Sequence, residues 1–154
     1  MKKLLFVLLA IIVIMQFFRI DMENPSVNAE DDFIAITSPN DEVKSILRNA
    51  CYDCHSNETV YPWYAQIAPV SWWLKNHIDE GRGELNFSEW GTYKDRRAKH
   101  KLKESIELVE EGEMPLSSYT WTHGDAVLSN DQKELLIDFF NELRDSIPEN
   151  PTED

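Results

Sequence analysis

The chain opens with an apolar run from Leu4 to Phe18, broken only by Gln16, with Lys2 and Lys3 before it and Arg19 after it. The run has no polar face, so it predicts a helix that is apolar all round: a signal anchor or signal peptide over residues 1–20. The pattern then loosens. Residues 21–37 read as a linker, with Pro25, scattered polar positions and a short apolar end at Phe33, Ile34 and Ile36. A helical period returns from Ser38. Ser38 can cap, Pro39 suits a first helical position, and Val43, Ile46, Leu47, Ala50, Cys51 and Cys54 fall on one face. That helix stops near Ser56-Asn57. Tyr61-Pro62-Trp63-Tyr64 predicts an aromatic turn. Ala68-Pro69 then opens a second helix with the stripe Val70, Trp73, Leu74, His77 and Ile78, and Gly81 stands where its C-cap is expected. Residues 81–93 read as a loop. Lys94 to Glu111 predicts a charged helix with a thin stripe at Ala98, Leu102, Ile106 and Val109, closed by Gly112. Ser129 to Gln132 is a capping box, and the last helix runs to about Ser146 with Leu135, Leu136, Phe139, Phe140 and Leu143 inward. The fold class is therefore all-α. One helical domain spans 38–147, behind the amino-terminal helix and ahead of an acidic tail at 148–154.

Composition narrows the picture. A chain of 154 residues has room for one domain and a targeting segment. Net charge is -13, and all 28 acidic residues lie beyond Arg19. Such a surface excludes nucleic acid as a partner; it suits a redox partner protein with a basic docking patch and equally serves solubility alone. Basic residues before the apolar run and acidic ones after it put the amino end in the cytoplasm and the rest outside. The expected location is thus the periplasmic side of the bacterial cytoplasmic membrane, with the amino-terminal helix as the membrane contact. A possible cleavage site, Val27-Asn28-Ala29, lies well downstream of the run.

The chemistry concentrates at Cys51-Tyr52-Asp53-Cys54-His55. This is the C-x-x-C-H pattern of covalent haem attachment. Two thiols at that spacing can add across the two vinyl groups of a haem, and the next imidazole becomes the proximal iron ligand. Cys51 and Cys54 are the only cysteines in the chain. A thioredoxin-like site would need a βαβ setting, and a zinc site a second Cys/His pair, and neither is found. The distal ligand is more open. Met114, followed by Pro115, is the only methionine beyond residue 22, and a thioether suits haem iron. An unbranched Met also fills core gaps. His77, on the stripe of the second helix, is the alternative, and a lone histidine there is also consistent with a hydrogen-bonded core residue. His123 is a further candidate, though its polar neighbours suggest exposure. Arg82 could pair with a haem propionate or stand in solvent.

Four stretches carry a likeness: Asn49 to Thr59 around the cysteines, Tyr61 to Tyr64, Ala68 to Leu74, and Gly112-Glu113-Met114-Pro115. Together they resemble a bacterial haem-binding domain family of monohaem c-type cytochromes, over roughly Asp41 to Arg144. The order of elements is similar to the cytochrome c fold, with attachment on the first helix, a Met loop late and a final packing helix. The resemblance implies one haem c per chain, with thioethers at Cys51 and Cys54, His55 proximal and Met114 distal. The Trp-rich region from Tyr61 to Tyr93 departs from small soluble cytochromes c. The function expected is electron transfer. A haem sensor or peroxidase-like enzyme with an open distal site is the alternative, and a partner-binding module that uses the cysteines only as a disulfide is the third reading.

Overall fold

A computed structural model describes residues 1–148 of the chain. The described residues form helices and turns without a strand. The α-helices are α1 (Lys2–Met15), α2 (Phe33–Thr37), α3 (Asp41–Ala50), α4 (Tyr52–His55), α5 (Val70–Glu84), α6 (Asp95–Glu110), α7 (Ser117–Thr120) and α8 (Asn130–Ser146). Short 3-10 turns lie at Trp63–Gln66, Phe87–Thr92 and Gly124–Ala126. The all-α reading holds. The acidic tail read from the sequence lies outside the described residues, save Pro148.

The α1 helix has 14 residues and none of them is buried. Among the described residues no helix is long and apolar enough to cross a membrane, so the spanning anchor expected from the sequence is not found. The apolar run is cut short because Gln16 ends the helix. Its side chain donates back to Ile12 O of the helix and hydrogen-bonds both backbone groups of Ala68.

The stretch read as a linker contains α2, and α2 enters the core. Asp32 caps it by accepting from the backbone N–H groups of Ile34 and Ala35 at 3.0 and 3.2 Å. Phe33 is fully buried, with its ring 4.9 Å from Phe87, 4.8 Å from Trp90 and 6.2 Å from Phe140. Because α2 fills 33–37, Ser38 closes that helix in a left-handed conformation and does not open the next one. Asn40 takes the capping role for α3, accepting from Val43 N–H at 2.9 Å.

The main core joins α2, α3, the Phe87–Thr92 turn, α6 and α8. From α6 it takes Ala98, Leu102, Ile106 and Val109, as the stripe predicts. Leu136 and Phe140 are the buried residues of α8, and Leu135, Phe139 and Leu143 pack on the same cluster. The capping box at Ser129 and Gln132 is present. Gly112, at φ +73°, ends α6 in the left-handed region that favours glycine. Behind it the N–H groups of Glu113 and Met114 both donate to Leu108 O. A second, smaller cluster of Ala65, Leu74 and Ile78 takes in Ile20, Cys54, Tyr61 and Tyr64 at its edges.

The α5 helix differs from its predicted stripe. Ser71, Leu74 and Ile78 are buried, and Val70 and Trp73 are exposed. The helix is rotated so that the side carrying Leu74, Ile78 and Gly81 meets α4. Gly81 is not a C-cap either, since α5 runs on to Glu84. Its hydrogen atom in place of a side chain lets α4 approach. A Cβ there would stand 2.8 Å from the carbonyl oxygen of Cys54.

Candidate haem site

The single helix expected through the cysteines is two helices. At Cys51 the backbone leaves the α conformation, with φ -124° and ψ -43°, and α4 restarts at Tyr52. Tyr52 anchors the restart from beneath. Its buried hydroxyl donates to Asp32 at 3.0 Å, and its ring stacks on Phe87 at 5.3 Å. Burial and the neighbouring Asp32 carboxylate push that phenol far above its usual range. Asp53, on the opposite side, is braced from three directions. Its carboxylate accepts from Val60 N–H at 3.0 Å and from the Tyr119 hydroxyl at 2.7 Å, and its carbonyl accepts from Thr59 Oγ1 at 2.6 Å. So the two residues between the cysteines are fixed, one inward and one across to α7.

Cys51 and Cys54 are free thiols, each half-buried. Cys51 borders the main cluster and Cys54 the smaller one, so the pair straddles the seam between them. Burial first, then the neighbouring thiol, pushes Cys51 up to about 12. Burial and the Asp53 carboxylate push Cys54 up to about 11, against a smaller opposing pull from Arg82. A dithiol oxidoreductase needs the reverse, a thiol lowered toward neutrality.

His55 ends α4 with its ring held by α5. Nδ1 lies 2.9 Å from Gly81 O and 3.1 Å from Leu85 O. Both partners are carbonyls and can only accept, so Nδ1 carries the proton and donates it. The neutral ring then keeps its lone pair on Nε2, the tautomer a metal requires. Burial lowers the His55 pKa, and the two carbonyls oppose that shift without reversing it.

The other predicted ligands stand apart from one another. Met114 is half-buried against the main cluster, the one Cys51 borders. His77 lies on the flank of α5 that also carries Trp73. Its Nδ1 is 2.9 Å from Trp73 O and its ring 4.3 Å from the Trp73 ring. His123 is half-buried and not solvated as its neighbours suggested. It stacks on Tyr119 at 4.1 Å, with Nδ1 3.1 Å from Tyr119 O. It also lines a small cleft with Cys54, Asp53, Tyr64, Leu74, Ile78 and Tyr119. Arg82 is neither in solvent nor free for a propionate. It donates to Ser56 O at 2.7 Å and to Thr59 Oγ1 and Asn24 Oδ1, each at 2.8 Å.

The residues present fit a haem. Two free thiols lie three positions apart, one at the N-cap and one within the short helix α4, and an imidazole beside them has its outer nitrogen uncommitted. Apolar and aromatic walls from Tyr64, Leu74 and Ile78 adjoin Cys54. The buried hydroxyl of Tyr61, at the edge of the same cluster, has no hydrogen-bond partner among the described residues. A polar group on a bound ligand would satisfy it. Sequence reading missed the two carbonyls that orient His55, the Tyr119 brace and the Tyr61 hydroxyl. Gly81 was the one visible signal, and it reads as a cap until the fold brings it against Cys54.

An all-helical domain with C-x-x-C-H held on a seam defines the class as haem-binding. A family model for the haem-binding domain matches residues 10–142, and the chain belongs to that family. No curated protein and no solved structure matches it.

Proposed function

We propose that the protein is a monohaem c-type cytochrome that transfers electrons on the outer side of the cytoplasmic membrane. The observation that carries this reading is His55, with Nδ1 donated to Gly81 and Leu85 and Nε2 free beside two thiols. Cys51 and Cys54 hold the haem as thioethers, His55 is its proximal ligand and Met114 its distal one. When bound, the haem supplies a one-electron couple at its iron. The chain sets that couple by hydrogen-bonding His55, by excluding water with the walls around Cys54, and by the choice of distal ligand. Held by both His55 and Met114, the iron would offer no open position to a substrate. The acidic surface steers a basic partner protein, and α1 attaches the domain to the membrane.

A second reading of the distal ligand rests on the cleft that His123 shares with Cys54. The Nδ1 of His123 points to a carbonyl, as that of His55 does. The test is the full-length protein purified from a host with haem-attachment machinery. A pyridine haemochrome assay is expected to give one covalent haem per chain. The ferric near-infrared spectrum is expected to carry a sulfur-ligation band that Met114→Ala removes and that His77→Ala and His123→Ala leave in place. Loss of the low-spin spectrum in His123→Ala alone assigns that histidine instead. A high-spin wild type that binds carbon monoxide at once defeats the electron-transfer reading in favour of a sensor or peroxidase-like enzyme.

A further inference from the structure

The amino-terminal segment is not a tether hung from the domain. It is bonded into it. Gln16 Nε2 donates to Ala68 O at 3.0 Å, and Gln16 Oε1 accepts from Ala68 N at 3.1 Å. Trp72 Nε1 donates to Phe18 O at 2.7 Å. Ile20 packs on the smaller cluster. Farther on, Asn24 bonds both Thr59 and Arg82, and Ser26 O accepts from Asn57. Removal of the chain before residue 29 would strip every one of these contacts. The family match also begins at residue 10, inside α1.

The face that receives this segment has an unusual composition. From Thr59 to Leu74 there is no charged residue, in a chain that is 28% charged. On that face Ile67 is 44% exposed, Val70 42% and Trp73 46%, and beside it Phe17 is 81% exposed. The α1 helix is apolar on all sides, none of its residues is buried among the described residues, and Lys2, Lys3 and Arg19 flank it.

We propose that the haem-binding domain itself rests on a lipid bilayer through the face around Ile67, Val70, Trp72 and Trp73. The inference builds on the reading that α1 enters the bilayer, and length drives it. Fourteen helical residues rise about 21 Å, against a hydrocarbon core of about 30 Å. A helix that short, joined to the domain by side-chain clamps, cannot hold the domain clear of the headgroups. It draws the joined face down to them. The groups there suit that depth: tryptophans for the interface, aliphatic chains for the acyl boundary, and no charged residue from Thr59 to Leu74. The α5 helix then links bilayer and redox site. It carries the tryptophans at its first turn and the His55-binding carbonyl of Gly81 near its last, so the site keeps a fixed attitude to the membrane.

The experiment places full-length holoprotein in phosphatidylcholine vesicles doped with a phosphatidylcholine that carries a diazirine high on one acyl chain. After illumination, peptide mass spectrometry locates the adducts. Adducts on α1 and on residues 67–73 are the expected result. Adducts on α1 alone leave its insertion standing and overturn the seated domain. A lack of adducts on α1, with a dimer by light scattering, overturns both, because α1 then pairs with a second copy. The double variant Gln16→Ala, Trp72→Phe removes the clamps and is expected to lower the 67–73 adducts at least threefold while those on α1 persist. Unchanged adducts at 67–73 in that variant would refute the role of the clamps.

Discussion

Two glycines of α5 separate a close approach from mere helix composition. A methyl group at Gly81 meets the Cys54 backbone at 2.8 Å, whereas one at Gly83 meets nothing within 4 Å. Gly81→Ala is therefore expected to destabilise the chain by about 1–3 kcal/mol, since backbone cannot move aside as a side chain can. Gly83→Ala should be neutral or stabilising by up to about 1 kcal/mol, from helix propensity alone. Urea unfolding of both variants checks the pair, and equal effects would mean that α4 and α5 do not touch there. His55 supplies the pH dependence. Burial holds its folded pKa below the ordinary 6.5, so the unfolded chain binds the proton more readily. Its share of stability is complete above pH 6.5 and is lost as pH falls from there toward the folded value. In the haem-free chain, urea midpoints are expected to drop between about pH 7 and pH 5 more steeply for wild type than for His55→Gln. Parallel curves would show that the ring is not buried.

At the scale of elements, α2 is the test of where the domain starts. Phe33 contacts aromatic rings from the 3-10 turn after α5 and from α8, and Asp32 and Tyr52 join α2 to α4. Phe33→Ala is expected to cost about 3–5 kcal/mol, the range for truncating a fully buried aromatic. A linker residue would cost almost nothing, and a shift of the unfolding midpoint distinguishes the two. Five residues cannot announce themselves as a helix by period, which is why this element reads as linker in the sequence. The break at Cys51 is invisible for a related reason. Positions on either side keep one apolar face, and only the pull of Tyr52 toward Asp32 and Phe87 shows where the helix must restart. For α5 the period is right and the phase is not. Trp73 and Val70 are as apolar as Leu74 and Ile78, so hydrophobicity alone cannot choose between adjoining faces. Gly81 chooses, because only its side of the helix can come close to α4.

For the whole molecule, charge is the property that acts at a distance. A net charge of -13 is expected to speed electron transfer to a small basic haem protein at low salt. Stopped-flow rate constants should fall at least about tenfold between low ionic strength and about 0.5 M salt, where the Debye length shrinks to a few ångströms. A flat salt profile would mean that the acidic surface serves solubility alone. The two clusters meet at the C-x-x-C-H segment, with Cys51 against one and Cys54 against the other. The site is thus a property of how two packed units join and belongs to neither of them.

The sequence by itself determined the helical class, the long helices α6 and α8 with their caps, and the C-x-x-C-H motif of Cys51, Cys54 and His55 on which the proposed haem attachment rests. Those features are local: a period, a capping pair and a five-residue motif each carry their physics within a few positions of chain. Only the tertiary structure decided that Gly81 and Leu85 orient the imidazole, that Tyr119 braces Asp53, that α2 is core, and that Gln16 and Trp72 bind the first helix to the domain. Each of these depends on groups far apart in the chain being brought within hydrogen-bond or van der Waals reach, and no pattern of neighbours records which distant group will arrive.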